Sequence, residues 1–136
     1  MQPNEIVLAV NEDNDDGTTA EVNHTYTRYD EYQNRSIYIS GTHSPSARNT
    51  MAFYRSFPSV NGNFKGVQKS SVKFTEDVVV DGVDGVAQLS APVILEVNFS
   101  YPVGLTASDK VIYRQKLVAA LSDDSIMDNL NHTQMI

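Results

Sequence analysis

The residues best spaced to do chemistry are cations set on alternate positions. In the run Gln68–Thr75, Lys69 and Lys73 alternate with Ser71 and Thr75. In an extended chain all four side chains leave one face. Ammonium groups interleaved with hydroxyls suit a phosphate backbone: the lysines neutralise phosphates, and the hydroxyls offer hydrogen bonds to sugars and bases. The surrounding segment has the same bias. Between Glu31 and Glu76 there is no acidic residue, but there are six cations: Arg35, Arg48, Arg55, Lys65, Lys69 and Lys73. All 17 acidic residues and the other cations lie outside that window, and the net charge is −7. A uniformly basic nucleic-acid binder is therefore excluded, while a polarised one is not. The competing reading is a solvated sheet face that happens to lack acids.

Catalytic constellations are poor. The histidines, His24, His43 and His132, form no close pair and no H-E-x-x-H pattern, which argues against a zinc hydrolase. There is no G-x-S-x-G elbow, no phosphate-binding glycine loop and no Cys. The lack of Cys removes disulfides, thiolate metal sites and a cysteine nucleophile together. His43 reads as a solvated loop residue in a Ser/Pro turn. A calcium-loop frame starting at Glu12 ends on Asn23, where a bidentate Glu is needed, so Asp13–Gly17 reads as a hairpin turn around Asp16-Gly17. The reading is of a non-enzymatic protein with no cofactor and no metal.

These residues need strands to position them. Apolar or alternating segments occur at 6–10, 18–29, 36–43, 51–57, 68–80 and 92–101. The last is the clearest: Val93, Leu95, Val97, Phe99 and Tyr101 alternate with Ile94, Glu96, Asn98 and Ser100. One apolar and one polar face per strand belongs to an antiparallel sheet covered on one side. Over 36–43, Ile37 and Ile39 point one way, with Ser36, Tyr38, Ser40 and Thr42 on the polar side. Ser40 and Thr42 thus join the polar-face candidates, as does Arg55, although it is in phase with Phe53 and Phe57. After residue 105 the period changes. Thr106 and Asp109 form a helix start, and Tyr113, Leu117 and Leu121 recur every fourth residue. Ser122 is expected to cap a second helix carrying Ile126, Met127 and Leu130. About seven strands first and two helices last argue for an α+β fold.

The length of 136 residues suits one domain, 1–136, with an accessible surface of about 7,000 Å² for a compact monomer. The apolar run Ile6–Val10 is too short for a signal segment or a membrane span. The sequons at Asn23, Asn34, Asn98 and Asn131 read as chance, and the protein as soluble and cytoplasmic.

Three segments resemble the coat proteins of single-stranded RNA bacteriophages of the levivirus type. They are the basic strand and following loop, Gly66–Gly82; the strand-to-helix junction, Val97–Asp109; and the helical end, Tyr113–Leu130. The resemblance implies an N-terminal β-hairpin, a five-stranded antiparallel sheet and two C-terminal helices, with an intertwined dimer. It divides the chain into a hairpin and first strand (1–30), the sheet (31–104) and the helices (105–136). It implies a homodimer joined at the sheet edges and clasped by helices, with dimers closing an icosahedral shell around viral RNA in a bacterial cytoplasm. A phage maturation protein would be a further partner, and no membrane is involved. It also implies that the sheet face binds an RNA hairpin that marks the genome and represses replicase translation. The candidates on that face are Lys69, Ser71, Lys73, Thr75, Arg55, Ser40, Thr42 and Asn98. The loop between the last two strands, with Asp81, Gly82, Asp84 and Gly85, would meet its copies around the symmetry axes and need several conformations. The alternative from another class is a dimeric β-rich module that binds protein or glycan and never assembles.

Overall fold

The structure is a computed structural model that describes residues 3–13 and 18–134. The Asp16-Gly17 hairpin dipeptide lies outside the described residues. Six strands are followed by two helices: β1 (Glu5–Asp13), β2 (Thr19–Tyr32), β3 (Arg35–Ser40), β4 (Asn49–Ser56), β5 (Val67–Asp81), β6 (Gln88–Pro102), α1 (Ala107–Leu121) and α2 (Asp124–Asn131). The chain packs as two units, Met1–Phe57 with Lys69–Ser100, and Pro58–Gln68 with Tyr101–Ile136.

The first unit is built on one sheet with strands in sequence order, β1 to β6. The expected hairpin and five-stranded sheet are thus one six-stranded sheet, because β2 serves both. Its first half pairs with β1, from Thr19↔Asp13 to Thr27↔Glu5. Its second half pairs with β3, from Tyr26↔Ser40 to Tyr32↔Arg35. A bulge between Arg28 and Asp30 leaves Tyr29 outside the ladder. The β2–β3 turn holds Gln33 at φ 49, in left-handed backbone.

Residues directly opposite on antiparallel strands share a face. Tyr38 lies opposite Met51, which lies opposite Phe74, and Phe53 lies opposite Val72. Tyr26, Tyr38 and Met51 are buried, with Ile6, Leu8, Phe53, Val72 and Phe74 packed against them. Edge-on ring contacts join Tyr26 to Phe74 at 6.2 Å and Tyr38 to Phe53 at 5.6 Å. Edge-to-face aromatic pairs contribute roughly 0.5–1.5 kcal/mol beyond the area they bury. This corrects the polar-side assignment of Tyr38. It is the least exposed residue described, and its hydroxyl donates to the Pro3 carbonyl at 2.5 Å.

In the second unit the segment before β5 is a pinned loop. Asn61 and Phe64 exchange backbone hydrogen bonds around Gly62, whose φ is 62. At Gly66, with φ 94, a Cβ would sit 2.3 Å from the Ser59 carbonyl oxygen, so glycine alone fits. The Gly66 carbonyl then accepts from Val103 N–H at 2.9 Å. Thr106 caps α1 by accepting from Asp109 N–H at 3.2 Å, as the spacing predicts. The second cap differs. Ser122 keeps helical backbone and its N–H bonds Val118 O, so it closes α1 instead. Asp123 is extended, and its carboxylate accepts from Ser125 and Ile126 N–H. Among the described residues, none in either helix is buried, and no helix is long and apolar enough to cross a membrane.

Candidate nucleic-acid interface

Alternation puts Lys69, Ser71, Lys73 and Thr75 on the face of β5 away from Phe74 and Val72. The ladder extends this face across two more strands. Lys69 is opposite Ser56, Ser71 opposite Tyr54, Lys73 opposite Ala52 and Thr75 opposite Thr50. Tyr54 and Ala52 are in turn opposite Arg35 and Ile37 on β3. A hollow of about 420 Å³ is lined by Tyr54, Arg55, Ser56, Lys69, Ser70, Ser71, Asn98, Phe99 and Ser100. It brings Asn98 of β6 beside Lys69 and Ser71.

The register puts two other candidates out of phase with this group, although Arg55 also lines the hollow. Ser40 lies opposite the buried Tyr26, and Arg55 lies opposite Ser70, in phase with Phe53 and Met51. Both therefore occupy the core face, and the Arg55 guanidinium sits 4.9 Å above the Phe57 ring. Thr42 falls in the β3–β4 turn, where its hydroxyl accepts from the Asn49 side-chain amide at 2.9 Å. The alternation over 36–43 misleads because Tyr38 carries a hydroxyl on a largely apolar ring, so its phase looks polar. The correct phase delivers Arg35, Ala52, Tyr54 and Ser56, which sequence reasoning missed. A signal for them exists in β4, since Arg55 in phase with Phe53 leaves Tyr54 and Ser56 on the other side.

On this face Arg35, Lys69 and Lys73 are accompanied by two acids, Asp30 opposite Ile37 and Glu96 in phase with Asn98. Among the described residues, Arg48 is the one cation of the basic block with an acid partner. It grips Asp77 with two guanidinium bonds of 3.0 and 3.1 Å, and its backbone N–H donates to the same carboxylate at 2.9 Å. That grip holds the Asp77 carboxyl below the usual carboxylate range. Arg35, Lys69 and Lys73 make no ion pair with any described residue. Tyr54 shows an exposed edge beside them, at 37%. Cations, hydroxyls, an amide and one aromatic ring suit RNA phosphates and unpaired bases. Among the described residues, no group of three metal-ligating side chains converges.

The β5–β6 loop is compact. Asp84 Oδ1 accepts from Val86 N–H at 3.0 Å and Ala87 N–H at 2.9 Å. Gly85 takes φ 70, while Gly82 has ordinary backbone and donates to the Ala87 carbonyl at 2.6 Å.

No family model and no curated protein matches the sequence. Solved structures do match. The chain is similar to the virus-like particle of bacteriophage AVE019 over 96% of this chain and 95% of that one, at 19% identity and a TM-score of 0.75. The virus-like particle of Beihai levi-like virus 21 matches over 100% and 98%, at 14% identity and a TM-score of 0.72. That of Beihai levi-like virus 32 matches over 83% and 88%, at 16% identity and a TM-score of 0.71. Six strands in sequence order followed by two C-terminal helices, superposing on these particle chains over most of their length, give this protein the RNA-phage coat-protein fold.

Proposed function

We propose that this protein is the coat subunit of a single-stranded RNA phage, which dimerises, assembles into an icosahedral shell and holds RNA against its lysine face. The observation that carries the reading is β6. It is an edge strand, yet Val93, Ile94 and Leu95 put apolar side chains on both its faces and are exposed at 45%, 53% and 62%. An apolar run on both faces is the pattern of a strand whose two faces are covered. A long uncovered edge is otherwise an aggregation hazard. A second copy paired along β6 supplies the missing neighbour. The helices support the same conclusion, since Val111, Ile112, Val118 and Leu121 on α1 and Ile126 and Leu130 on α2 are all exposed.

The RNA part of the proposal rests on the lysine face and its lack of acid partners among the described residues. The ligand is viral RNA, including a hairpin whose unpaired bases reach Ser71, Thr75 and Asn98, and whose binding represses replicase translation. Assembly takes place in the host cytoplasm, with a maturation protein as a minor partner. Expression in a bacterium, size exclusion with absorbance at 260 and 280 nm, and negative-stain imaging test the reading. Uniform round particles containing nucleic acid are expected. A dimer-sized species that stays free of nucleic acid and does not assemble with added RNA would favour a β-rich binding module instead. For the RNA face, replacing Lys69 and Lys73 together by Ala should weaken RNA binding and flatten its salt dependence while dimers still form. Unchanged filter-binding curves would defeat that assignment.

A further inference from the structure

We propose that the Asp84 side chain is an acid-releasable latch on the β5–β6 turn, closed at neutral pH and open when the carboxylate takes up a proton. The turn has two kinds of fastening. The backbone kind is the pair of hydrogen bonds from Gly82 N–H to Ala87 O and from Gly85 N–H to Gly82 O. The side-chain kind is Asp84 Oδ1, which gathers the N–H groups of Val86 and Ala87. Those two amides sit where the chain re-enters β6, so the carboxylate holds the descending limb in place. The Gly82–Ala87 backbone bond shares that task, and side-chain packing adds little, because Val83 and Val86 project into solvent at 111% and 84% exposure.

Charge explains why one proton matters. An ionised acceptor makes shorter, stronger hydrogen bonds than a neutral one. The Ala87 and Val86 amides hold the Asp84 carboxyl below the ordinary range. A group with a lowered folded value contributes its full stabilisation above the ordinary carboxylate pKa and loses it as pH falls through the folded value. The turn sequence 82–87 contains no cation to compensate. The charged groups on the two strands it joins are Asp81, Asp77, Glu76, Lys73 and Lys69 on β5 and Glu96 on β6. Asp81, the nearest along the chain, is itself an acid and brings no positive charge to the turn. The latch belongs to the turn itself and does not depend on shell assembly or RNA.

Hydrogen-exchange mass spectrometry on the full-length protein, resolving the peptide 81–88, tests it. Wild type, Asp84→Asn and Asp84→Ala are compared at each pH from neutrality down through the carboxylate range, which cancels the intrinsic pH dependence of exchange. Protection of the 81–88 peptide should fall in the wild type as Asp84 protonates. It should stay level relative to intrinsic exchange in Asp84→Asn, whose side-chain oxygen does not titrate, and be lost already at neutral pH in Asp84→Ala. Parallel loss in wild type and Asp84→Asn overturns the latch, and so does Asp84→Ala exchanging as slowly as wild type at neutral pH.

Discussion

Tyr38 is buried despite its hydroxyl because that oxygen finds the Pro3 carbonyl while the ring meets Phe53 edge-on. A buried polar atom with a partner costs little, so a tyrosine serves as core. Residue type alone does not reveal this, which is why Ser40 reads as a surface group when it faces Tyr26. The opposite phase puts Tyr54 among Arg35, Ser71 and Lys69. If the lysine face binds single-stranded RNA, Tyr54→Ala should weaken that binding at least about fivefold, the low end for one base stack, and leave the salt slope unchanged. Tyr54→Phe should bind like wild type, and fluorescence titration distinguishes the two. Gly66 makes a separate prediction at this scale. Its φ of 94 and a Ser59 carbonyl oxygen 2.3 Å from the point a Cβ would occupy forbid a side chain. Gly66→Ala should cost more than about 2 kcal/mol in denaturant unfolding, and a near-neutral effect would mean that the 58–66 loop relaxes freely.

Strands and helices are legible in the sequence where neighbouring residues agree on one period. β6 is the clearest strand, and the Thr106 cap is set by its own hydroxyl reaching Asp109 N–H. The second cap falls one residue later than the sequence suggests, because Ser122 and Asp123 both favour cap positions. The carboxylate is the better acceptor for two N–H groups, and the Ser122 backbone is still engaged by α1. Pairing across strands is illegible, because the partners are far apart in sequence. The Arg48–Asp77 clasp is an example. It fastens the start of β4 to β5, and Asp77 N–H also donates to the Arg48 carbonyl at 2.8 Å. Its stabilisation is present above the ordinary carboxylate pKa and fades as pH falls through the lowered Asp77 value. Thermal melts against pH should therefore decline more steeply in acid for the wild type than for Asp77→Asn. Parallel curves would mean that the clasp adds nothing measurable.

For the molecule as a whole, charge runs opposite to what net composition suggests. The −7 total coexists with a sheet face whose lysines form no ion pair among the described residues. The proposed pairing of two copies along β6 has a direct test. Leu95→Lys puts a charge on the apolar face of the edge strand, and should shift the dimer toward monomer in sedimentation and abolish particles. A normal yield of shells from this variant would move the interface elsewhere.

An edge strand that is oily on both sides also governs what happens before assembly. If β6 pairs with a second copy as proposed, every newly made chain presents, until then, a template to which any other exposed strand can add. Success then becomes a race between correct encounter and clumping, decided by how near the next identical chain is. Chains released side by side from one messenger would meet early, whereas chains diluted in a test tube would wander. Refolding yield of this protein should consequently pass through an optimum in concentration: scarce partners leave sticky orphans, and crowding feeds disordered aggregates.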